Sequence, residues 1–273
     1  MLHSLNIPYE ILTDGLRSIV VVPVEVLEKA RYEIWQYEQE NRQAVVPGPL
    51  FTPVIQNAVP GVVAYLFTIT LVGLLAGEMA FGLNWLGAGR VDGTLIREGE
   101  WWRAITALTL HSGLPHFAGN AGFGALFGML AGRLLGSGVT WFAIVVSSGL
   151  ANLFNTLLLD SSHRAIGAST AVFAALGLLA GFVWRGKLMK QDRWPYRIGP
   201  IVGGIALLAY TGTGDANTDV GAHLTGFICG FATGMLMTRV YHLIPDVRVQ
   251  RASGVLAISI VVIAWILALS HWA

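Results

Sequence analysis

Long apolar runs, separated by short polar or glycine- and proline-bearing stretches, dominate the chain from about residue 58 onward. Seven such runs lie at about 59–79, 114–135, 139–159, 167–184, 198–213, 219–241 and 253–272. Each approaches the roughly 20 apolar residues that a helix needs to cross the hydrocarbon core, the fifth being the shortest. The pattern therefore predicts seven transmembrane helices. Ahead of them, Ile19–Val22 is too short an apolar run to cross, and Pro23 interrupts it. Val24–Gln43 reads as an amphipathic, charged helix with Val24, Leu27, Tyr32 and Trp35 partly on one face. Val46-Pro47-Gly48-Pro49, followed by Pro53, reads as a linker. No basic stretch followed by an apolar core opens the chain, so no cleavable signal peptide is expected. The expected division is 1–57 as a cytosolic segment with linker, 58–243 as a six-helix core, and 244–273 as a seventh transmembrane helix.

Composition agrees with a membrane class. Only 12% of the residues are charged and 54% are hydrophobic, where soluble domains carry roughly 25% charge. A net charge of +1 and the lack of any long basic run argue against a nucleic-acid partner. Cys229 is the single cysteine, so neither a disulfide frame nor a cysteine metal site is possible. No metal and no cofactor are expected. Lysine and arginine set the orientation. With the amino terminus inside, 13 of them fall in inner segments and 4 (Arg90, Arg97, Arg103 and Arg164) in outer ones. Amino terminus in and carboxyl terminus out is the topology this split predicts.

That topology has a chemical consequence. The second, fourth and sixth spans all run from outside to inside, so their first turns share the outer third of the bilayer. His116 and Asn120 lie in the first turns of the second span, Ser169 opens the fourth, and His223 is near the start of the sixth. Intramembrane polar residues are costly and mark function by default. A serine hydroxyl becomes a nucleophile when a neighbouring base takes its proton, and histidine titrates in the right range. A helix start offers unpaired N–H groups and a dipole that favours negative charge. His116 and Asn120, at i and i+4, leave one helix face and can donate to an oxyanion. No acidic residue pairs obviously with His223, since Asp219 is expected at the membrane surface rather than behind the ring. A two-residue Ser–His pair is the expectation.

Glycines add a packing argument. Gly226, Gly230 and Gly234 form a four-residue stripe after His223, and Gly177 and Gly181 form another on the fourth span. Such surfaces let helix backbones approach closely. Gly124, Gly128, Gly132 and Gly136 give the second span its own stripe, so spacing alone does not choose partners.

Four motifs carry a family resemblance: Trp102-Arg103; His111 through His116 to Asn120; Gly167-Ala168-Ser169; and Ala222-His223-Leu224-Thr225-Gly226. In this order and span placement the chain resembles the rhomboid family of intramembrane serine proteases over about 59–241. The resemblance implies an all-α integral membrane fold, a rhomboid-like six-helix bundle with an extra carboxyl-terminal transmembrane helix. It implies Ser169 as nucleophile and His223 as its base, with His116, Asn120 and the Ser169 amide as oxyanion hole. Gly167 belongs to the serine motif, Trp102 and Arg103 to a structural first loop, and His111 has a supporting role. Transmembrane protein substrates and membrane lipids are the expected partners, and a bacterial plasma (inner) membrane the expected location. Substrate would enter between spans, past the short fifth span, where Gly203-Gly204 permits movement.

Two features depart from the family pattern. Thr170 stands where glycine usually follows the serine, and a β-branched residue there can crowd the neighbouring helix. The last span adds a "six plus one" arrangement, with a packing or anchoring role. The alternative is a catalytically inactive rhomboid-like protein that binds membrane clients, which Thr170 favours. A transporter would need a polar path across the whole membrane, whereas these polar residues stop in the outer half.

Overall fold

The computed structural model describes residues 2–14, 17–40, 54–158, 162–186, 198–199, 202–204, 206–207 and 219–272. The linker at 46–53 lies outside these, and the expected fifth span, 198–213, lies mostly outside them. The chain divides into two compact units, Met1–Gly48 and Pro49–Ala273.

In the first unit, β1 (Glu10–Asp14) pairs antiparallel with β2 (Arg17–Val21), so the short apolar run at 19–22 is one arm of a hairpin. Its β-branched Ile19, Val20 and Val21 suit a strand. Helix α1 (Leu27–Glu40) follows. Its buried face differs from the expected one. Ala30, with Val26 and Ile34, packs on Leu2 and Ile7, while Val24, Leu27, Tyr32 and Trp35 are exposed.

The second unit is an all-α integral membrane bundle. Its long helices are α2 (Val59–Gly77), α6 (Leu114–Leu135), α7 (Ser137–Leu158), α8 (Ser169–Gly186), α9 (Val220–Met237) and α10 (Val247–Trp272). All but α6 are both long and apolar enough to cross a bilayer. Helix α6 has the length, 22 residues, but carries His116, Asn120 and Arg133. Its start and end coincide with the apolar run read from the sequence. Between α2 and α6 the chain folds into α3 (Trp85–Gly89), β3 (Val91–Asp92), α4 (Gly93–Arg97), α5 (Arg103–Thr106) and a 3-10 turn, Ala107–Thr109.

Helix α8 is the centre of the bundle, with most of its residues buried. Its contact with α9 is the most extensive between helices among the described residues. A Cβ added to Gly230 would sit 2.1 Å from the carbonyl oxygen of Ala174, and one on Gly234 2.1 Å from that of Leu178. In return, a Cβ on Gly177 would meet the Phe227 carbonyl at 2.2 Å, and one on Gly181 the Phe231 carbonyl at 2.1 Å. The two stripes therefore interlock, each glycine taking the partner's backbone rather than facing a glycine. The α6 stripe serves other partners: Gly124 lies under Tyr65, Gly128 under Trp141 and Gly132 against Ala58.

The segment between α2 and α6 bonds many of its buried polar groups internally, although Arg90 Nε and Trp102 Nε1 are buried without a partner among the described residues. Arg103, only 2% exposed, donates to Glu100 Oε2 (2.6 Å), to the Gly87 carbonyl (2.8 Å) and to the Arg90 carbonyl (3.2 Å). Asn152 of α7 donates to the Ala104 carbonyl at 2.9 Å. Strand β3 pairs with β4 (Arg164–Ala165), the strand ahead of α8. Asp92 caps α4 through the amides of Thr94 and Leu95, and accepts from Arg164 Nε at 2.9 Å. Burial by itself would raise the Asp92 pKa. The Arg164 hydrogen bond and charge, with the two amides, outweigh burial and hold it below the ordinary carboxylate value.

Two stability outcomes follow from this packing. Gly230→Ala forces apart α8 and α9 and lowers the thermal unfolding midpoint, at a cost of about 1–3 kcal/mol, measured on detergent-solubilised protein. Asp92→Asn keeps a capping oxygen but loses the ion pair. Because the folded Asp92 pKa is depressed, its contribution is present above the model-peptide value of 3.8 and lost as pH falls below it. The variant is therefore less stable than wild type at pH 7, and the difference closes as pH drops through that region.

Candidate active site

The site is built around the turn that feeds α8. Gly167 has φ of +136°, a conformation that costs little only for glycine. Its N–H donates to the Ala107 carbonyl at 2.9 Å, tying the turn to the 3-10 turn before α6. Ala168 is fully buried and accepts the first helical bond, from the Val172 amide at 2.9 Å. Ser169 thus occupies the first helical position, half-buried, where backbone N–H groups have no partner within the helix.

A side chain on Gly167 would collide with the site itself. Its Cβ would fall 2.7 Å from His116 Nε2 and 3.5 Å from Ser169 Oγ. One small niche, kept open by glycine, therefore lies within reach of both groups. On the other side of the His116 ring, the Ser112 amide donates to Nδ1 at 3.4 Å, and the Ser112 hydroxyl lies 3.0 Å away. A backbone N–H can only donate; when Nδ1 accepts it, Nε2 of a neutral ring carries the proton. The tautomer that results presents an N–H to the niche. Ser112 was not singled out in the sequence; its only signal is the four-residue spacing to His116 across Pro115.

Asn120, one turn further along α6, is buried, and its Nδ2 has no hydrogen-bond partner among the described residues. Tyr65 of α2 donates to the Asn120 carbonyl at 2.8 Å, lies over Gly124 and stacks on Trp141 at 4.7 Å. The sequence did not point to Tyr65 either, because its partner is 55 residues away.

His223 is 4% exposed, and its ring stacks on Phe173 at 4.5 Å and 18°. Phe173 is one turn past Ser169 on α8. Thr170 lies against α9, its carbonyl oxygen and Cγ2 facing Gly226, which lies one turn past His223. The methyl of Thr170 thus fills the space that a glycine on the partner helix leaves. Among the described residues no hydrogen bond joins Ser169 Oγ to His223, and His223 Nδ1 has no partner. Asp219 makes no hydrogen bond to the His223 ring. It caps α9 at the Ala222 amide (2.9 Å), accepts from Asn155 (3.1 Å) and pairs with His163 Nε2 (2.8 Å). Asn155 accordingly joins α7 to α9.

His111 lies edge-on to the rings of His116 (5.4 Å) and Phe117 (5.3 Å). Burial first, and the charge of a protonated His116 second, push its pKa down to about 4, so its ring is neutral at pH 7. Trp102 and Arg103 sit away from the niche. Trp102 packs at a tilt against His271 of α10 at 4.6 Å, and the Arg103 guanidinium lies 5.9 Å from the Trp272 ring centre.

Comparison with known proteins points the same way as this geometry. Residues 98–240 match the Rhomboid domain. Rhomboid protease GluP of Bacillus subtilis (strain 168) is 31% identical over 143 residues, covering 52% of this chain and 27% of that protein. RHOMBOID-like protein 9, chloroplastic, of Arabidopsis thaliana is 30% identical over 143 residues, 51% of this chain and 32% of the relative. Rhomboid-like protease 1 of Toxoplasma gondii is 28% identical over 148 residues, 53% and 50% of the two chains. The chain thus spans half or less of the length of each of these relatives. The domain match covers just over half of the chain and takes in the entries of α6, α8 and α9, and with the helical membrane bundle it shows that this chain belongs to the rhomboid family.

Proposed function

We propose that this chain is an intramembrane serine endopeptidase that cleaves transmembrane or membrane-anchored proteins near the outer membrane face. The observation that carries the reading is the glycine-floored niche beside Gly167, reached by both Ser169 Oγ and the N–H of His116. A peptide carbonyl placed there has a nucleophile on one side and a hydrogen-bond donor on its oxygen.

In this mechanism His223 takes the Ser169 proton as Oγ attacks the carbonyl carbon. The tetrahedral oxyanion is held by His116 Nε2–H, Asn120 Nδ2 and the Ser169 amide, aided by the positive end of α8. His223 then gives the proton to the leaving amine, and water resolves the acyl-enzyme by the same steps in reverse order. The unpartnered Asn120 amide suits this role, because a donor already engaged could not serve an anion. The open Ser169–His223 gap does not oppose it, since catalytic hydrogen bonds are often long in resting enzymes and tighten with substrate. Phe173, stacked on His223, holds the ring without competing for its nitrogens. His163 and Asn155 occupy Asp219, so His223 works as the base of a dyad without a carboxylate partner.

The substrate must expose a carbonyl, so helix-breaking or small residues near its outer end favour cleavage. Lysine and arginine distribution orients the chain with its amino terminus in the cytoplasm and carboxyl terminus outside, in keeping with a bacterial plasma membrane and its lipids. Thr170, the residue that favoured an inactive client-binding protein, finds its place against Gly226 and leaves that alternative without support from packing.

Ser169→Ala and His223→Ala each lower cleavage of a transmembrane substrate in liposomes by about 10³-fold or more, with folding retained. His116→Ala and Asn120→Ala lower it by roughly 10²–10³-fold. A fluorophosphonate probe labels wild type and not Ser169→Ala; cleavage that survives in Ser169→Ala rules the nucleophile out. In a Cys229→Ala background, cysteine at Glu98 reacts with an impermeant maleimide on intact cells. Cysteine at Arg248 reacts only after permeabilisation, and the reverse pattern overturns the orientation.

A further inference from the structure

Helix α10 was expected to anchor or pack. Its outer half does something more specific. The Trp265 indole N–H donates to Thr109 Oγ1 at 3.1 Å, 156 residues away in sequence, and both residues are buried. Thr109 Oγ1 in turn donates to the Thr106 carbonyl at 2.7 Å. Thr109 ends the 3-10 turn Ala107–Thr109, and the carbonyl of Ala107 at its start accepts from the Gly167 amide. That short turn is therefore pinned at one end by α10 and at the other by the residue that floors the niche beside Ser169. The ring of Trp265 fills the space beside Gly89, where a Cβ would lie 2.4 Å from Cη2, and packs on Trp85 at 5.0 Å. Further along α10, Trp272 covers Gly87 in the same loop.

We propose that Trp265 is a positioning residue of the active site. Through Thr109 and the Ala107 carbonyl it holds the Gly167 turn, and with it the placement of Ser169 Oγ against His116. The helix added to the six-span core is on this view part of the catalytic apparatus. A 3-10 turn is short and its hydrogen bonds are poorly aligned, so its position is set by what staples it. Here one staple is a buried hydrogen bond from α10. A shift of the turn moves the Ala107 carbonyl, which the Gly167 amide follows, and small displacements of reacting groups carry large rate penalties. The proposal rests on Ser169 being the nucleophile, so its test includes a measurement that does not.

Full-length wild type, Trp265→Phe, Thr109→Val and Thr109→Ser are compared in detergent micelles. Valine keeps the shape of threonine and removes the acceptor, serine restores it, and phenylalanine removes the N–H together with part of the indole that fills the space beside Gly89. The first measurement is amide exchange at Gly167, by NMR on protein carrying carbonyl-¹³C isoleucine and ¹⁵N glycine. Only Ile166-Gly167 and Ile198-Gly199 give paired signals in this sequence, and Ile198→Val tells them apart. The second is the rate at which the fluorophosphonate probe labels Ser169, and the third is the unfolding midpoint. Trp265→Phe and Thr109→Val are expected to speed Gly167 exchange and slow labelling, each by about tenfold, the factor one buried hydrogen bond can shift. The unfolding midpoint of Thr109→Val stays near wild type, and Thr109→Ser behaves as wild type. Unchanged Gly167 exchange overturns the proposal. So does faster exchange with undiminished labelling, or a labelling loss that merely tracks the unfolding midpoint. If wild type itself is not labelled, the nucleophile assignment fails, and Gly167 exchange alone decides whether Trp265 holds the turn.

Discussion

The structure depends on how closely α8 and α9 approach. At Gly177, Gly181, Gly230 and Gly234 the backbone of one helix takes up space that a Cβ would otherwise occupy on the other. In a bilayer, apolar side chains gain little by leaving lipid for protein, so tight van der Waals packing has to hold helices together. Interlocked backbones maximise that contact and also fix the axial register. Register is what matters for chemistry. It sets Phe173 over His223 and Thr170 over Gly226, and so decides at which height the entries of the two helices meet.

A second constraint comes from the loop between α2 and α6. It brings Arg103 and several backbone groups into a largely buried setting, where each unsatisfied polar group is expensive. Arg103 meets this by bonding Glu100 and two carbonyls, Thr106 by bonding the Gly89 carbonyl, and Asn152 by bonding the Ala104 carbonyl. The result is a rigid platform beside the site. On its far side lie Trp265, His271 and Trp272 of α10; on its near side, Gly167. A loop of this kind can transmit position because it has few ways to rearrange without stranding a polar group.

Much of this was legible in the chain because hydrophobic runs of membrane length have one reading. The boundaries of α2, α6, α7 and α8 fall within a few residues of the apolar runs, and α10 begins a turn or two earlier than its run. The amino-terminal hairpin was not legible. Its strands are five residues each, and Ile11, Leu12, Ile19 and Val20 are all exposed, so no clean inward-outward alternation marks them. The face of α1 was misjudged for a related reason. The periodicity of Val24, Leu27, Tyr32 and Trp35 is helical, but the cluster that covers the helix reaches Ala30 and Ile34 instead. Ser112 and Tyr65 escaped notice because one acts through a backbone amide and the other on a backbone carbonyl, neither of which leaves a residue-type signature.

By itself the sequence determined the class of the molecule, the helix entries at which polar residues cluster, and the motifs that carry its kinship. All of these follow from local facts: run length, residue type and spacing. Tertiary structure decided what spacing leaves open. Three glycine stripes are equivalent on paper, and only the folded bundle sets two of them against each other and gives the third to Tyr65, Trp141 and Ala58. It also decided that Thr170 has room, that His116 turns Nε2 toward Gly167, and that the last helix is bonded to the loop behind the site. Those outcomes depend on contacts between residues far apart in the chain, and no local pattern encodes which distant surface will arrive.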